Sequence, residues 1–508
     1  MGFILACDAG TTSSRTLIFD ENFDVLTSSQ KEFKQHTPQA SWVEHDAEEI
    51  WKTQLWTIKQ SLKNLKGQGN KQIIAVGITN QRETIVAWDK NTGKSLAPAL
   101  VWQDQRTQKE CEKWRAQGHQ EVIRNRTGLV LDPYFSASKI AWLLKNNFEV
   151  KNALKEKRLC VGTIDSWLIF KLTRGVSHVT DASNASRTQL MNIHTNAWDQ
   201  DLCRFFKIPM NILPQILNSA DDFGRIKIAP LKGVPITGVL GDQQASLFGH
   251  RAIAKGQSKN TYGTGCFMLK NIGLKSSQMG GPQAQVGVLE TIAWRIGEKT
   301  TYAHEGAVMV GGDVMKFLRD NLGLIEDVSK SSQVAKSLTS NDDVYFVPAF
   351  AGLGTPWWDS SARGAIVGLT AQSSKSHIVR AALESIAFQS LDLARGMEIK
   401  GAIKVDGGAT TNKFLMQFQA DILGQVIDVA HMSEVTALGV AQMAAIGAGL
   451  ITIVDIKNMD EKISKLDTQR KALRKTQSYE PQMKLAERKS LVVRWREAVE
   501  RSRQWHKN

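Results

Sequence analysis

Apolar and polar positions alternate at two different periods along this chain. The segments ILACD, TLIFD and DVLTSSQKEF near the start predict three consecutive strands, with a Gly/Thr/Ser turn between the first two. The period then changes. In DAEEIWKTQLWTIKQSLKNL the apolar residues Trp51, Leu55, Ile58, Leu62 and Leu65 step by four and three, which predicts a helix. Asp46, with Glu49 three residues on, resembles a capping-box start. IIAVGITN then reads as a short buried strand. Strands feeding a helix and another strand predict an α/β layer fold.

The opening device recurs. KNTYGTGCFMLK, Lys259 to Lys270, predicts a strand, a Gly-Thr-Gly turn and a second apolar strand. The pair reads equally as a distant internal duplication or as two unrelated glycine turns. Later, KVDGGATTNKFLMQFQADILG, Lys404 to Gly424, places a helix after Gly407-Gly408, with Phe414, Leu415, Phe418 and Ile422 as its apolar positions.

Length changes the picture, because 508 residues exceed one ordinary core and call for two or more large domains. No low-complexity linker separates them. The expected boundary lies near Gly249 to Gly256, giving residues 1–250 and 251–508, with a basic helical tail over about 457–508. Val435 to Val454 carries no charge and has the length of a membrane span. Its Ala/Gly/Thr composition and acidic flanks, Glu434 and Asp455, instead predict a core helix with a small-residue face, leading into a strand.

The net charge is +14, and Lys457 to Asn508 contributes 15 Lys/Arg against 7 Asp/Glu. A nucleic-acid or membrane arm is one reading of that tail. The other is a helix whose Val492, Trp495 and Val499 share one face, and the interspersed acids favour it, so no nucleic-acid partner is expected. Cys7, Cys111, Cys160, Cys203 and Cys266 are scattered, without a C-x-x-C pair, which predicts a reducing compartment and neither a disulfide framework nor a zinc site. Phe3-Ile4-Leu5 follow the start without a basic leader, so a cytoplasmic chain is expected.

The turns carry the candidate chemistry. Main-chain N–H groups in a tight Gly/Thr/Ser turn converge on an anion, and hydroxyls add donors without bulk. Two such tips, one from each half, are expected to grip a polyphosphate from both sides. Asp8 repels phosphate unless a cation intervenes, and Mg²⁺ favours carboxylate and water oxygens. Arg15 then neutralises phosphate charge. The first tip therefore suits Mg-ATP. Rival motifs fail: NTGKS at Asn91 to Ser95 has Trp88 where a P-loop needs Gly, and YGTGCFM lacks the third Gly of a Rossmann or protein-kinase loop. The Gly407-Gly408 turn suits a flat adenine, or is an ordinary strand-to-helix turn.

The stretches DAGTTSSR, WVEHD, GITNQRET, VWQD, DPYFSASK, VTDASNASRT, GDQQASLFG, NTYGTGCFML, EGAV, ARGAIVGLT, VDGGATTNKFLMQFQADILG and EVTALG run from Asp8 to about Gly449. In that order they resemble the FGGY carbohydrate kinases of the actin-like ATPase superfamily, and within them the glycerol kinases. The resemblance implies two actin-like (ribonuclease H-like) α/β domains with a central interdomain cleft. It implies ATP-dependent phosphorylation of glycerol to sn-glycerol 3-phosphate, with ATP and Mg²⁺ as cofactors. Domain closure that expels water is then expected, because water competes for the phosphoryl group. A homodimer or homotetramer is expected only because family members commonly form one.

Position by position, the resemblance assigns glycerol binding to Arg82, Glu83, Tyr134, Asp242 and Gln243, with Trp102 and Phe267 as apolar walls. It places Thr11, Thr12, Ser13 and Arg15 in the first phosphate loop and Thr264 in the second. Gly312, Gly408 and Asn412 match nucleotide-contacting positions, and Asp8 the magnesium-side acid. Asp242 matches the family's general base. Each residue also has a plainer reading: Asp242 as a helix N-cap, Arg82 and Glu83 as a solvent-facing ion pair, Trp102 and Phe267 as core packing.

The chain departs from the family at Ala9, where Gln is usual, and at Lys316, where a nucleotide-contacting Gln is common. Activity with altered ATP affinity is expected from Ala9. The loop IAPLKGV, Ile228 to Val234, lacks the Gly-Gly-Thr-Arg element that resembles a fructose-1,6-bisphosphate site, and contains no His. Neither that inhibition nor histidine phosphorylation there is expected. The rival functions are a kinase for another small polyol or keto-sugar, and an ATP-dependent binding protein that uses the basic tail.

Overall fold

The computed structural model describes residues 2–65, 72–274, 287–350, 352–459 and 477–505. The chain forms two compact units. The first comprises Met1–Arg251, Glu290–Tyr302 and Glu434–Asp460; the second comprises Ala252–Leu289, Ala303–Ser433 and Glu461–Asn508.

The first unit is built on a five-stranded sheet in the order Ile236–Gly241, Ile73–Asn80, Phe3–Ala9, Ser13–Phe19, Val25–Glu32. The last three strands form an antiparallel meander, and the first two lie parallel to Phe3–Ala9. All three strands expected at the start of the chain form. The helix Ala47–Asn64 also forms, but its most buried face is largely polar. Thr53, Gln54, Thr57 and Ser61 are sealed, while Trp51, Leu55 and Leu62 are only half-buried. The cause is the strand beneath. Ser13–Phe19 presents Ser14 and Thr16, whose hydroxyls bond Thr53 and Thr57 at 2.9 Å each. Asp46 caps the helix as expected, accepting the N–H of Glu48 rather than of Glu49.

The uncharged segment forms the helix Val435–Gly447, buried along most of its length. Its small residues are required. A Cβ on Gly439 would lie 1.8 Å from the Ala245 carbonyl oxygen, and one on Gly249 would lie 2.1 Å from that of Val435. It therefore seats directly on the helix Asp242–Gly249. It does not lead into a strand: a short helix, Ile453–Lys457, follows, capped by Thr452. Among the described residues no helix is long and apolar enough to cross a membrane.

The second unit repeats the plan. Within this unit five neighbouring strands run in the order Cys266–Leu274, Ser258–Tyr262, Ile403–Asp406, Ile427–Val429, Gln477–Tyr479. A hairpin, Ser258–Tyr262 with Cys266–Leu274, again has two parallel strands beyond its first arm. The shared order favours duplication over two unrelated glycine turns. Helices Lys375–Gly396, Lys413–Leu423 and Leu485–Ser502 cover this sheet's core. The last of these buries Val492, Trp495 and Val499, as its spacing predicted. Trp495 stacks on Phe388 at 5.1 Å and donates to Asp392 at 2.9 Å. Burial pushes the Asp392 carboxyl up to about 6. Residues 460–476 of the expected basic tail lie outside the described residues.

Candidate active site

In the first unit, the C-terminal ends of Phe3–Ala9, Ile73–Asn80 and Ile236–Gly241 carry Asp8, the Gln81–Thr84 turn and Asp242. Parallel register places them together, with Asp8 opposite Thr79, and Gly241 opposite Asn80. Open α/β sheets commonly bind ligands beyond the carboxyl ends of their parallel strands.

Asp242 is the first residue of its helix and not the cap. Gly241 occupies the cap position, so the plainer reading of Asp242 as an N-cap is overturned. The Asp242 carboxylate accepts the backbone N–H of Gln243 at 2.8 Å and its side-chain amide at 3.1 Å. Arg82 Nε lies 3.2 Å from its Oδ1. Arg82 also donates to Gln244 at 3.2 Å and to the Tyr134 hydroxyl at 3.4 Å. Arg82 and Glu83 are each 2% exposed and their charged atoms are 3.8 Å apart, so they are not a solvent-facing pair. Glu83 instead accepts from Arg187 Nε at 2.6 Å. Its φ of 61° is the left-handed region, which turns the chain sharply after Arg82.

Arg187 is a candidate site residue that sequence reasoning missed, although it lies within VTDASNASRT. It is fully buried, with its guanidinium 5.7 Å from the Tyr134 ring and 5.2 Å from that of Phe135. Trp102 packs edge-on against Tyr134 at 5.7 Å, and its indole N–H donates to the Thr11 hydroxyl at 3.0 Å. It therefore ties the expected alcohol site to the expected first phosphate loop.

That loop is the tip of the first hairpin, Gly10 to Ser13, closed by the Gly10 N–H on Ser13 O at 3.0 Å. Asp8 and Arg15 face each other across it. Burial pushes the Asp8 carboxyl up to about 7; Arg15 opposes this, and the carboxylates of Glu434 and Asp242 reinforce it. Arg15 bonds Glu434 at 2.7 Å. Burial pulls the Arg15 guanidinium down, and the Asp8 and Glu434 carboxylates more than offset that.

The second unit holds the remaining residues. A cavity of about 730 Å³ is lined by Thr264, Gly312, Lys316, Gly408, Ala409 and Asn412, among others. The Thr264 turn is fixed by main-chain bonds: Gly263 N–H to Gly265 O, Gly311 N–H to Thr264 O, and Gly312 N–H to Gly263 O, at 2.7–2.9 Å. Asn412 caps the helix Lys413–Leu423 through Leu415 N–H and donates to Ser331. A short 3₁₀ turn, Gly408–Thr411, separates that helix from Gly407. Lys316 is 61% exposed and paired with Asp313 at 2.9 Å. Phe267 stands half-buried on Cys266–Leu274, so of the seven expected glycerol positions it alone belongs to this unit.

No group of three His, Cys, Asp or Glu that could hold a metal occurs among the described residues. Mg²⁺ does not need one, since it is commonly held by one or two carboxylates together with substrate phosphates and water. Asp8 fits that mode: its carboxyl is raised by burial and neighbouring acids, a condition that a cation relieves.

Comparison with known proteins agrees with these constellations. A glycerol kinase of Deinococcus radiodurans is 44% identical, covering 99% of this chain and 98% of the relative. One from Shewanella pealeana is 46% identical, with 99% of both chains covered. The crystal structure of Plasmodium falciparum glycerol kinase with ADP superposes with a TM-score of 0.86 at 36% identity, covering 99% of this chain and 98% of the other. Residues 3–249 match the model of the N-terminal domain, and residues 258–448 that of the C-terminal domain, of the FGGY family of carbohydrate kinases. With both actin-like domains matched in order and the carboxylate, guanidinium and glycine-turn groups in place, the chain belongs to the FGGY family of carbohydrate kinases.

Proposed function

We propose that this chain transfers the γ-phosphoryl group of ATP to glycerol, giving sn-glycerol 3-phosphate and ADP. The observation that carries the reading is the chain Arg187–Glu83–Arg82–Asp242, buried up to the half-exposed Asp242, with Gln243 and Tyr134 on its flanks. A triol needs donors and acceptors of mixed sign. Arg82 donates, Glu83 accepts and Gln243 does both. A smaller alcohol would leave some of these groups unpaired, which disfavours it.

Asp242 takes the proton of the attacking hydroxyl. Its carboxylate is oriented by the Gln243 N–H and by Arg82 Nε. A base held this way need accept the proton only late, because phosphoryl transfer passes through a loose transition state. Thr11, Thr12 and Ser13 offer donors to phosphate oxygens, and Arg15 offers positive charge. Thr264, Gly312, Gly408 and Asn412 line the cavity that takes the nucleotide. Mg²⁺, when bound at Asp8, neutralises phosphate charge. A cytoplasmic homodimer or homotetramer is the expected assembly, read by light scattering.

The test is coupled ADP release over glycerol, pentuloses, gluconate and water. Saturable release with glycerol supports the reading. Poor saturation by glycerol with good turnover of erythritol or dihydroxyacetone moves the assignment to another small polyol.

A further inference from the structure

The first phosphate turn is held from behind by side chains that no expected site residue includes. Gln81 Nε2 donates to Gly10 O at 3.0 Å, and Gln35 Nε2 donates to Thr11 O at 2.9 Å. His45 lies between the two glutamines. Its Nε2 meets Gln35 Oε1 at 2.5 Å, and its Nδ1 meets Gln81 Nε2 at 3.4 Å. The circuit closes on its other side. The Trp102 N–H donates to Thr84 Oγ1 at 3.2 Å, Thr84 Oγ1 donates to Gln81 Oε1 at 2.9 Å, and the Trp102 indole reaches Thr11 at 3.0 Å.

The polarity of this ring is fixed. Gln35 uses its NH₂ on Thr11 O, so its oxygen faces His45, and His45 Nε2 must carry the proton. Nδ1 is then an acceptor, which suits the Gln81 NH₂. Only a neutral imidazole satisfies both glutamines at once. His45 is fully buried, packed edge-on to Phe33 at 5.1 Å, and burial holds it down to about 4.

Planarity converts that ring into a function. In a trans peptide the C=O and the following N–H point in opposite directions. With Gly10 O and Thr11 O tied inward, the N–H groups of Thr11 and Thr12 turn outward. Thr11 Oγ1 accepts from the indole and so keeps its own proton to donate.

We infer that His45 is a positioning residue: through Gln35 and Gln81 it holds the Gly10–Thr12 peptides so that their N–H groups meet a phosphate. The inference rests on the kinase reading above, and its test separates the two. The full chain is assayed with ATP and glycerol, and ATP binding is measured by calorimetry in the absence of glycerol. His45→Phe keeps the ring volume and its packing on Phe33 but removes both polar contacts. The expected result is a fall of about 10-fold or more in kcat and weaker ATP binding, on the scale of losing an oriented main-chain donor, with the KM for glycerol changed less than about 2-fold. His45→Gln restores the donor to Gln35 and should recover part of the loss. Gln35→Met added to His45→Phe should cost little more than His45→Phe alone, because both break one chain.

Wild-type kcat and ATP affinity in His45→Phe overturns the inference. So does an equal loss of the ATP and glycerol parameters with no recovery in His45→Gln, which would make His45 a core residue only. Failure of the kinase reading shows instead as absent glycerol-dependent ADP release in the wild type.

Discussion

The two threonine-bearing turns look alike in sequence and are held by different forces. The first, Gly10 to Ser13, is braced by side chains: Gln81, Gln35 and the Trp102 indole, with His45 behind them. The second, Gly263 to Gly265, is braced by backbone hydrogen bonds from Gly263, Gly311 and Gly312. Glycine is obligatory around it. Gly407 sits at φ 96°, and a Cβ there would lie 2.3 Å from Tyr262 O. One turn depends on distant polar side chains and the other on the absence of side chains. They should therefore fail under different substitutions.

The largest effect expected is at Gly407. Gly407→Ala combines a glycine-only conformation with a main-chain clash and should cost about 3 kcal/mol. Calorimetry should show the melting of the second unit lowered by roughly 6–12 °C. An unchanged melting curve would mean that the second turn does not depend on glycine packing, and the contrast would be lost.

Asp242→Asn sharpens the separation between units. It should lower kcat at least about 10²-fold, equivalent to about 2.7 kcal/mol, because a positioned base is removed. ATP binding at the second unit's cavity should be unchanged by calorimetry. Near-normal turnover would remove Asp242 from the mechanism.

Acid distinguishes the turns next. Burial holds His45 down to about 4 against an ordinary value near 6.5, so below pH 6.5 the unfolded chain binds the extra proton. Stability attributable to neutral His45 is present above pH 6.5 and falls as pH drops towards 4. The His36 ring adds to that depression. Relative to His45→Gln, the wild type should lose on the order of 3 kcal/mol over this window. Urea titrations at pH 7 and pH 4 would read it. Asp8 has the opposite sign: its carboxyl is raised to about 7, so it costs stability as pH rises from about 4 to 7. Asp8→Asn should therefore raise the melting temperature at pH 7 by roughly 2–4 °C while abolishing Mg-ATP turnover.

The smallest effect is at Trp102. Trp102→Phe keeps most of the wall beside Tyr134 but deletes the donor to Thr11, at a cost of about 1 kcal/mol. The KM for ATP should rise about 5-fold and that for glycerol less. The reverse order would make Trp102 a wall only.

Much of this was legible along the chain. The helix over Trp51 to Leu62 and the Val492, Trp495, Val499 face follow from period, the opening strands from their apolar runs, and the uncharged core helix from its composition and acidic flanks. What misled was partnership. The Ala47–Asn64 helix buries Thr53, Thr57 and Ser61 because the neighbouring strand offers two hydroxyls and the Thr16 carbonyl, which no helical period reports. Arg82 next to Glu83 suggests a pair, yet Glu83 bonds Arg187 from another segment.

The sequence by itself determined where strands and helices fall along the chain and which chemical groups the chain possesses, because the spacing of apolar residues reports the type of element. The tertiary structure alone decided who holds whom. Gln35, His45, Gln81 and Trp102 meet because the strands and loops of two neighbouring sheets carry distant segments together, and a buried polar group must take whatever partner that arrangement supplies.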